Sequence, residues 1–597
     1  MTKQTQSLVA LFFEQALRKD DAPFLWSKID GEWQSVSWAE AVTQMGALAE
    51  ALAKLGVKPG DRVGLVSESR PEWPIADLAI MAAGAISVPT YITNGIADHR
   101  HVLEDSGASA VIISTSALAA KVLPAAQEAG CVKFAITIED IAEADASDVP
   151  THRWETAIAD AEDNAAATIE AAVTGLSRED TACLIYTSGT GGTPKGVMLS
   201  HGAILSNCTG STEMLKEMGL DDEVFLSFLP LSHSYEHTAG LFFPIMLGAQ
   251  IYYAEGIDKL AQNMAEVHPT LMTAVPRLYE VMHDRIRRGV KQAGGKSEML
   301  FEQTIAMGRK QYEEAHNMGF FEKLQNAMLS KLVRAKVQQR FGGRLKALVS
   351  GGAPLNYDIG IFFTALGVRI LQGYGQTESA PVISCNPPSH NRIETVGQIM
   401  KDVECRIADD GEIIVRGELV MQGYWNNPEA TAEAIKDGWL HTGDIGEFDD
   451  DGHLRITDRK KDIIVNSGGD NIAPQRIEGM LTAQPEIGQA MVYGDKRPNL
   501  VALVVPDPDF AAAWAKEQGF VTTDLDAVIE HPNFKSVINE AVDRVSGDLS
   551  VIEKVRRFTL TAEAFTIDNG MMTPTLKIRR HMIREKYGET LEALYGR

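Results

Sequence analysis

Short apolar runs alternate with longer helical patterns through the first two-thirds of the chain, and this alternation limits the fold more than any other feature. RVGLV at Arg62–Val66, AVIIS at Ala110–Ser114, ACLIY at Ala182–Tyr186, TLMTAV at Thr270–Val275 and KALVS at Lys346–Ser350 read as buried strands. Each is too short for a typical helix and suits a pleated surface. IADLAIMAAGA at Ile75–Ala85 reads as a buried helix between two of them. Strands separated by helices tend to pair in parallel, because a parallel neighbour needs a crossover connection. The expected class is α/β: a large N-terminal domain of parallel-rich sheets flanked by helices, with a smaller α+β C-terminal domain. Ligands in such sheets gather beyond the carboxyl ends of the strands.

Residues 277–344 break the alternation. Leu278, Val281, Met282, Ile286 and Val290 recur at helical spacing, as do Leu324, Met328, Leu332 and Val333. This is a long helical insertion. Its Lys323, Lys331, Arg334, Lys336, Arg340 and Arg344 form either a solvated helix face or a contact for anionic lipid. After Gly411, GEIIVRG, DDDGHLRITDRKKDIIVNSGG and QAMVYGDKRPNLVALVVPD read as hairpins. The domain boundary is expected at Arg459–Asp462, dividing the chain into 1–459 and 460–597.

A chain of 597 residues, 45% hydrophobic and 23% charged, fits several folded domains. A net charge of −25 argues against bulk nucleic-acid binding and requires local positive sites for any anionic substrate. Part of the surplus lies between Glu139 and Glu170, which holds ten acidic residues and one Arg. Cys131, Cys183, Cys208, Cys385 and Cys405 form no C-x-x-C pair, which suggests a reducing compartment. The N-terminus lacks a signal-peptide pattern, and the apolar run Ala239–Ala254 is broken by Pro244 and Gln250. A cytoplasmic protein is expected, with membrane contact limited to the periphery of the inner face.

Tyr186–Gly196 reads YTSGTGGTPKG, with four glycines, four Ser or Thr hydroxyls and one lysine. That composition suits a backbone loop around phosphate oxygens. It is not a Walker A loop, because Pro194 precedes Lys195 and Gly196 follows it. A strand leads into the loop, and a helical pattern starts near Ser200. Five further stretches carry chemistry-bearing residues: LPLSHSYEHT at Leu229–Thr238, SGGAPL at Ser350–Leu355, QGYGQTES at Gln372–Ser379, Asp437–Pro474, and MTPTLKIRR at Met572–Arg580. In QGYGQTES a hydroxyl can donate to a phosphate oxygen and a carboxylate can hold Mg²⁺. The same Thr-Glu pair would also cap a helix.

In their order along the chain, these motifs resemble the adenylate-forming superfamily of acyl- and aryl-CoA synthetases, luciferases and peptide-synthetase adenylation domains. The resemblance runs from about Asp180 to Arg580, and GWLHTGDIGEFDDDGHLRITDRKKD is similar to the signature of the long-chain fatty acyl-CoA synthetases. It implies a two-step reaction. A carboxylate attacks the α-phosphorus of ATP, giving acyl-adenylate and pyrophosphate, and the thiol of coenzyme A then displaces AMP. ATP, Mg²⁺, coenzyme A and a fatty acid are the implied partners.

The resemblance also implies roles for residues. Lys577 bridges carboxylate and α-phosphate during adenylation, Thr377 contacts the α-phosphate, and Glu378 holds Mg²⁺. Thr187, Ser188, Gly189, Thr190, Gly191, Gly192 and Lys195 hold the outer phosphates. Gly351, Gly352 and Ala353 lie close to the purine, the Tyr374 ring packs on it, and Gln372, Gly373 and Gly375 belong to the same nucleotide-binding set. Asp444 and Arg459 take the ribose, Lys461 is a hinge, and Gly468 lets the pantetheine thiol pass. His233 either orients the acyl group or is a structural histidine. Without the resemblance, Lys577 would read as a surface lysine, Tyr374 as core, Asp444 as a turn residue and Arg459 as half of a surface ion pair. The chain departs from the family at Gly191, where most members carry Thr. Alternatives are transfer of the acyl group to a carrier-protein thiol, a different hydrophobic acid, and a non-catalytic sensor. Chain length and oligomeric state are not legible.

Overall fold

The computed structural model describes residues 5–141, 147–159, 165–187, 193–460, 462–468, 470–520, 524–567, 569–573 and 578–596. Among them, all five expected strands form, within a residue or two of their anticipated ends. Ala347–Ser350 lies in a nine-stranded sheet between Leu271–Ala274 and Ile370–Gly375, parallel to both. Arg62–Val66 lies in an eight-stranded sheet between Ile86–Pro89 and Ala110–Ile113, again parallel to both. The helices Leu8–Lys19, Trp38–Lys54, Glu72–Ala82 and His201–Leu215 contribute to one apolar core shared with both sheets. Glu72–Ala82 is buried on nearly every side, as its largely apolar sequence requires.

Both sheets turn antiparallel where the motifs lie. Thr181–Thr187 pairs antiparallel with Lys195–Ser200, and Ile370–Gly375 with Val382–Cys385. The sequence pattern leads from Tyr186–Gly196 directly to a helix, but the structure inserts the strand Lys195–Ser200 first. The helix His201–Leu215 then starts with its N-terminus capped by the Ser200 hydroxyl, which accepts from the Ala203 amide at 3.1 Å. Thr187 and Lys195 are therefore paired on antiparallel strands, and a strand separates Lys195 from the helix N-terminus.

The hairpins anticipated after Gly411 are present. Glu412–Arg416, Trp439–Phe448 and Leu454–Arg459 share one antiparallel sheet. The next strand, Ile464–Val465, leaves that sheet and pairs with Asn471–Ile472. Ile487–Tyr493, Leu500–Pro506 and Val555–Leu560 then form a further sheet over a separate apolar core.

The insertion consists of helices Pro276–Ala293, Gly295–Glu314, Phe320–Leu329 and Ala335–Arg340, with a π-helical turn at Ser330–Arg334. Leu278 is buried, and Met282, Ile286 and Val290 pack against a core. Leu324, Met328 and Leu332 lie in helical turns, as their spacing anticipates, but they face solvent. Among the described residues, no helix is long and apolar enough to cross a membrane.

Candidate active site

Lys195 opens the strand that leaves the Gly-rich loop, directly opposite Thr187. It is exposed and has no ion pair among the described residues. Its Nζ stands 4.8 Å from the ring centre of Tyr424. The Tyr424 hydroxyl donates to Glu378 Oε1 at 2.8 Å, so two motifs 183 positions apart meet through one tyrosine. Backbone bonds hold this junction. Trp425 N donates to Gly196 O at 2.7 Å, and Met421 N to Glu378 O at 2.9 Å. The loop's base is fixed by Tyr186, whose hydroxyl donates to Asp105 at 2.6 Å and whose ring would stand 3.0 Å from a Cβ at Gly196.

Ser350 and Gln372 stand opposite each other near the carboxyl ends of neighbouring parallel strands. Gly351–Ala353 and Gly373–Glu378 therefore emerge side by side, where ligands of such sheets collect. Gly351 lies against Tyr235, with a Cβ there only 3.0 Å from the ring. Gly352 and Ala353 are exposed, and Gly352 adopts φ +84°, which favours glycine. The Thr377 and Ser234 hydroxyls are 2.9 Å apart, which ties QGYGQTES to LPLSHSYEHT. The buried Gln372 amide donates to the carbonyls of Ile393 and Thr395 and closes the 386–395 loop.

Tyr374, Asp444 and Arg459 form one cluster. Asp444 Oδ2 accepts from the Tyr374 hydroxyl at 2.7 Å, and Oδ1 from Arg459 Nε at 3.2 Å. Cross-strand pairing of Asp444 with Arg459 sets that geometry. The Tyr374 hydroxyl is thus bound to the Asp444 carboxylate, and burial beside that carboxylate pushes its pKa well above the ordinary value. Each Asp444 oxygen keeps a further acceptor position for a ribose hydroxyl.

LPLSHSYEHT runs between the two sheets and alternates its partners. His233 Nδ1 accepts from the Tyr235 amide at 3.1 Å, which sets a neutral ring's proton on Nε2. Glu236, fully buried in a π-helical turn, accepts from Ser227 at 2.6 Å and Thr273 at 2.5 Å, joining two neighbouring strands. Its carboxyl packs against Gly240, where a Cβ would lie 2.4 Å away. His237 reaches the other way to buried Asp77 at 2.9 Å. Beside Thr273 lies a narrow apolar cavity lined by Met214, Phe225, Tyr235, Phe243, Val349 and Met400. It holds about 30 Å³, roughly one water, and its methionines can repack around a larger guest.

Burial pushes the Glu236 carboxyl from its ordinary 4.5 up to about 7, against the pull of its two hydroxyl partners. Between those values the unfolded chain has released the proton and the folded chain keeps it, so stability falls as pH rises through the window. Glu236→Gln removes that dependence. The variant therefore gains on the parent between pH 5 and pH 8, by at most about 3 kcal/mol. Thermal unfolding of both proteins at the two pH values reads this, and a constant difference would contradict it.

Ser188–Gly192, Lys461 and Lys577 lie outside the described residues. Gly468 sits in an exposed turn, its amide donating to Asn466 Oδ1 at 2.9 Å. Sequence reasoning missed Tyr424, Tyr235 and Ser234 as parts of the site. Tyr235 and Ser234 stand inside a motif and were readable by proximity to His233. Tyr424 stands in none, and only its pairing beside Val197 brings it there. Cys183, Cys208 and Cys385 are buried, and burial pushes the Cys385 thiol up to about 12.

The donor set suits Mg²⁺ better than a metal held entirely by protein. Among the described residues, no three His, Cys, Asp or Glu side chains gather to form a metal site. Among the described residues, Glu378 has one hydrogen bond to its carboxylate and no ion pair, leaving oxygen for a hard cation that completes its shell with water and phosphates.

The AMP-binding enzyme family profile matches residues 12–425, and that of the AMP-binding enzyme C-terminal domain matches 461–597. The chain is 34% identical over 612 residues to the long-chain-fatty-acid–CoA ligase FadD15 of Mycobacterium tuberculosis, covering 99% of this chain and 97% of that protein. It is 31% identical to the peroxisomal long chain acyl-CoA synthetase 6 of Arabidopsis thaliana, covering 95% and 82%. Its fold is shared by the adenylation domain of a carboxylic acid reductase from Segniliparus rugosus, solved with AMP and a co-purified carboxylic acid. That structure has a TM-score of 0.76 at 20% identity and covers 100% of this chain and 95% of that one. With both family domains matched in order, this chain belongs to the AMP-binding enzymes.

Proposed function

We propose that the protein activates a long-chain fatty acid with ATP and transfers the acyl group to coenzyme A. The observation that carries this reading is the junction of Lys195, Tyr424 and Glu378 beside Tyr374, Asp444 and Arg459. One cluster offers charge for phosphates, the other acceptors for a ribose, and an apolar cavity starts next to them at Tyr235. The near full-length relatives named as long-chain ligases support the choice of acid.

In this reading Lys195 and the Gly-rich loop hold the β- and γ-phosphates, which leave together as pyrophosphate. Thr377 donates to the α-phosphate, Asp444 holds the ribose, and His233 orients the acid. Mg²⁺ at Glu378 would neutralise phosphate charge. Preorganised charge of this kind is how such transfers are accelerated. Lys577 supplies a cation at the α-phosphate during adenylation. Residues 460–597 rotate about Lys461 so that Gly468 replaces Lys577 for the thioester step. The cell interior, with acid drawn from the inner membrane face, is the setting that suits these substrates.

An assay of ATP–pyrophosphate exchange and CoA thioester over lauric to stearic acid tests the reading. Absence of activity across that series would remove the long-chain assignment. Pyrophosphate release without acyl-CoA would favour a carrier-protein thiol as acceptor. Lys195→Ala lowers adenylation on the order of 10- to 100-fold, by loss of charged hydrogen bonds to phosphate. It spares thioester formation from supplied acyl-adenylate, and equal loss in both half-reactions would contradict the role of the loop.

A further inference from the structure

The helix Phe320–Leu329 is amphipathic in the wrong sense for a soluble surface. Phe320, Phe321, Leu324 and Met328 are 78%, 82%, 61% and 51% exposed, and Leu332 in the next turn is 45% exposed. Spacing of four lays Phe320, Leu324, Met328 and Leu332 along one stripe. Glu322 and Asn326 face the protein instead. Glu322 binds Lys310 at 2.7 Å, Asn326 donates to Gln311 at 2.7 Å, and Leu329 alone in this helix is buried. A helix that packs through polar contacts and leaves its apolar face bare awaits a partner.

The charge identifies that partner. The protein carries −25 overall, yet Lys323 to Arg344 holds six basic residues and no acidic one. Arg334 is buried and spent on the carbonyls of Ala365 and Asn326. Lys323, Lys331, Lys336, Arg340 and Arg344 are exposed and make no ion pair among the described residues. Lys323 and Lys331 flank the apolar stripe at helical spacing. We propose that this face docks the protein on an anionic lipid bilayer, with Phe320, Phe321 and Leu324 entering the headgroup boundary and the basic residues against the headgroups. Aromatic and aliphatic residues beside lysines are the composition of helices that lie in such an interface. A second copy of this chain fits less well, because a two-fold contact would set the lysine-bearing stripe against itself. The purpose rests on the fatty-acid reading above, since the acid resides in bilayers; the docking itself does not.

Co-sedimentation with phosphatidylcholine vesicles, with and without phosphatidylglycerol, tests the proposal. The parent binds the anionic vesicles and not the neutral ones. Phe320→Ser/Phe321→Ser/Leu324→Gln and Lys323→Glu/Lys331→Glu each lower partitioning about tenfold or more. Unaltered thermal unfolding shows that both variants fold. Ligase rates with detergent-dispersed palmitate stay at the parent level, whereas rates with vesicle-borne palmitate fall. Equal vesicle binding by parent and variants overturns the proposal. So does a parent that ignores anionic vesicles while the aromatic variant changes oligomeric state, or binding only to an acidic protein. A parent inactive in detergent but bound to vesicles through this face would sink the fatty-acid reading and leave the docking surface standing.

Discussion

Glu378→Gln lowers adenylate formation on the order of 100- to 1000-fold, about 3–4 kcal/mol of transition-state stabilisation. The change keeps size and shape. The Gln carbonyl can still accept from the Tyr424 hydroxyl, which now bonds Glu378 at 2.8 Å, so the junction with the Gly-rich loop survives. What is lost is the negative charge that a hard cation needs and that a neutral amide replaces poorly. ATP–pyrophosphate exchange across a Mg²⁺ titration reads the effect. The variant needs more Mg²⁺ for any residual rate, while thioester formation from supplied acyl-adenylate stays within a few-fold of the parent. A Mg²⁺ dependence identical to the parent's would show that Glu378 acts only through Tyr424.

Gly375→Ala is expected to unfold the motif around that carboxylate, at a cost of at least about 3 kcal/mol. A Cβ at this position would stand 1.7 Å from the Pro381 carbonyl oxygen and 3.0 Å from the Ile383 amide nitrogen. Both are backbone atoms of the neighbouring antiparallel strand segment, which cannot swing aside as a side chain would. The register shifts between Tyr374 and Gly375, so the strand is already irregular there. The alanine therefore separates the strands or displaces Thr377 from Ser234. The midpoint of thermal unfolding falls, and adenylation falls with it. Gly373 is the control, because a Cβ there meets the Ser384 carbonyl at 3.2 Å and asks for only a small shift. A Gly375→Ala protein as stable as Gly373→Ala would contradict the steric argument.

Much of the architecture was legible because its signals are local. The runs at Arg62–Val66 and Lys346–Ser350 are strands, and Leu278 to Val290 is a helix face, since period and burial agree there. At Leu324, Met328 and Leu332 the period again marks helical turns, but the face they share is bare. Helical period shows that residues share a face and says nothing of what covers it. It also missed the strand Lys195–Ser200, because KGVMLS is short and flanked by a helix that begins immediately.

The site divides in the same way. Which residues carry charge and hydroxyls, and their order along the chain, were properties of the sequence, because motif chemistry resides in residue type and spacing. That Lys195 meets Glu378 through Tyr424, that Thr377 touches Ser234, and that Gln372 serves a loop were decided only by the tertiary structure. These contacts join positions from 21 to more than 200 residues apart, through strand pairing and side-chain burial. No periodicity encodes such distances, because they follow from how two sheets and the segment Met421–Trp425 pack together. The charge of Glu236 is a case in itself. The sequence supplies a carboxyl, and only full burial between Ser227 and Thr273 shifts its titration to about 7.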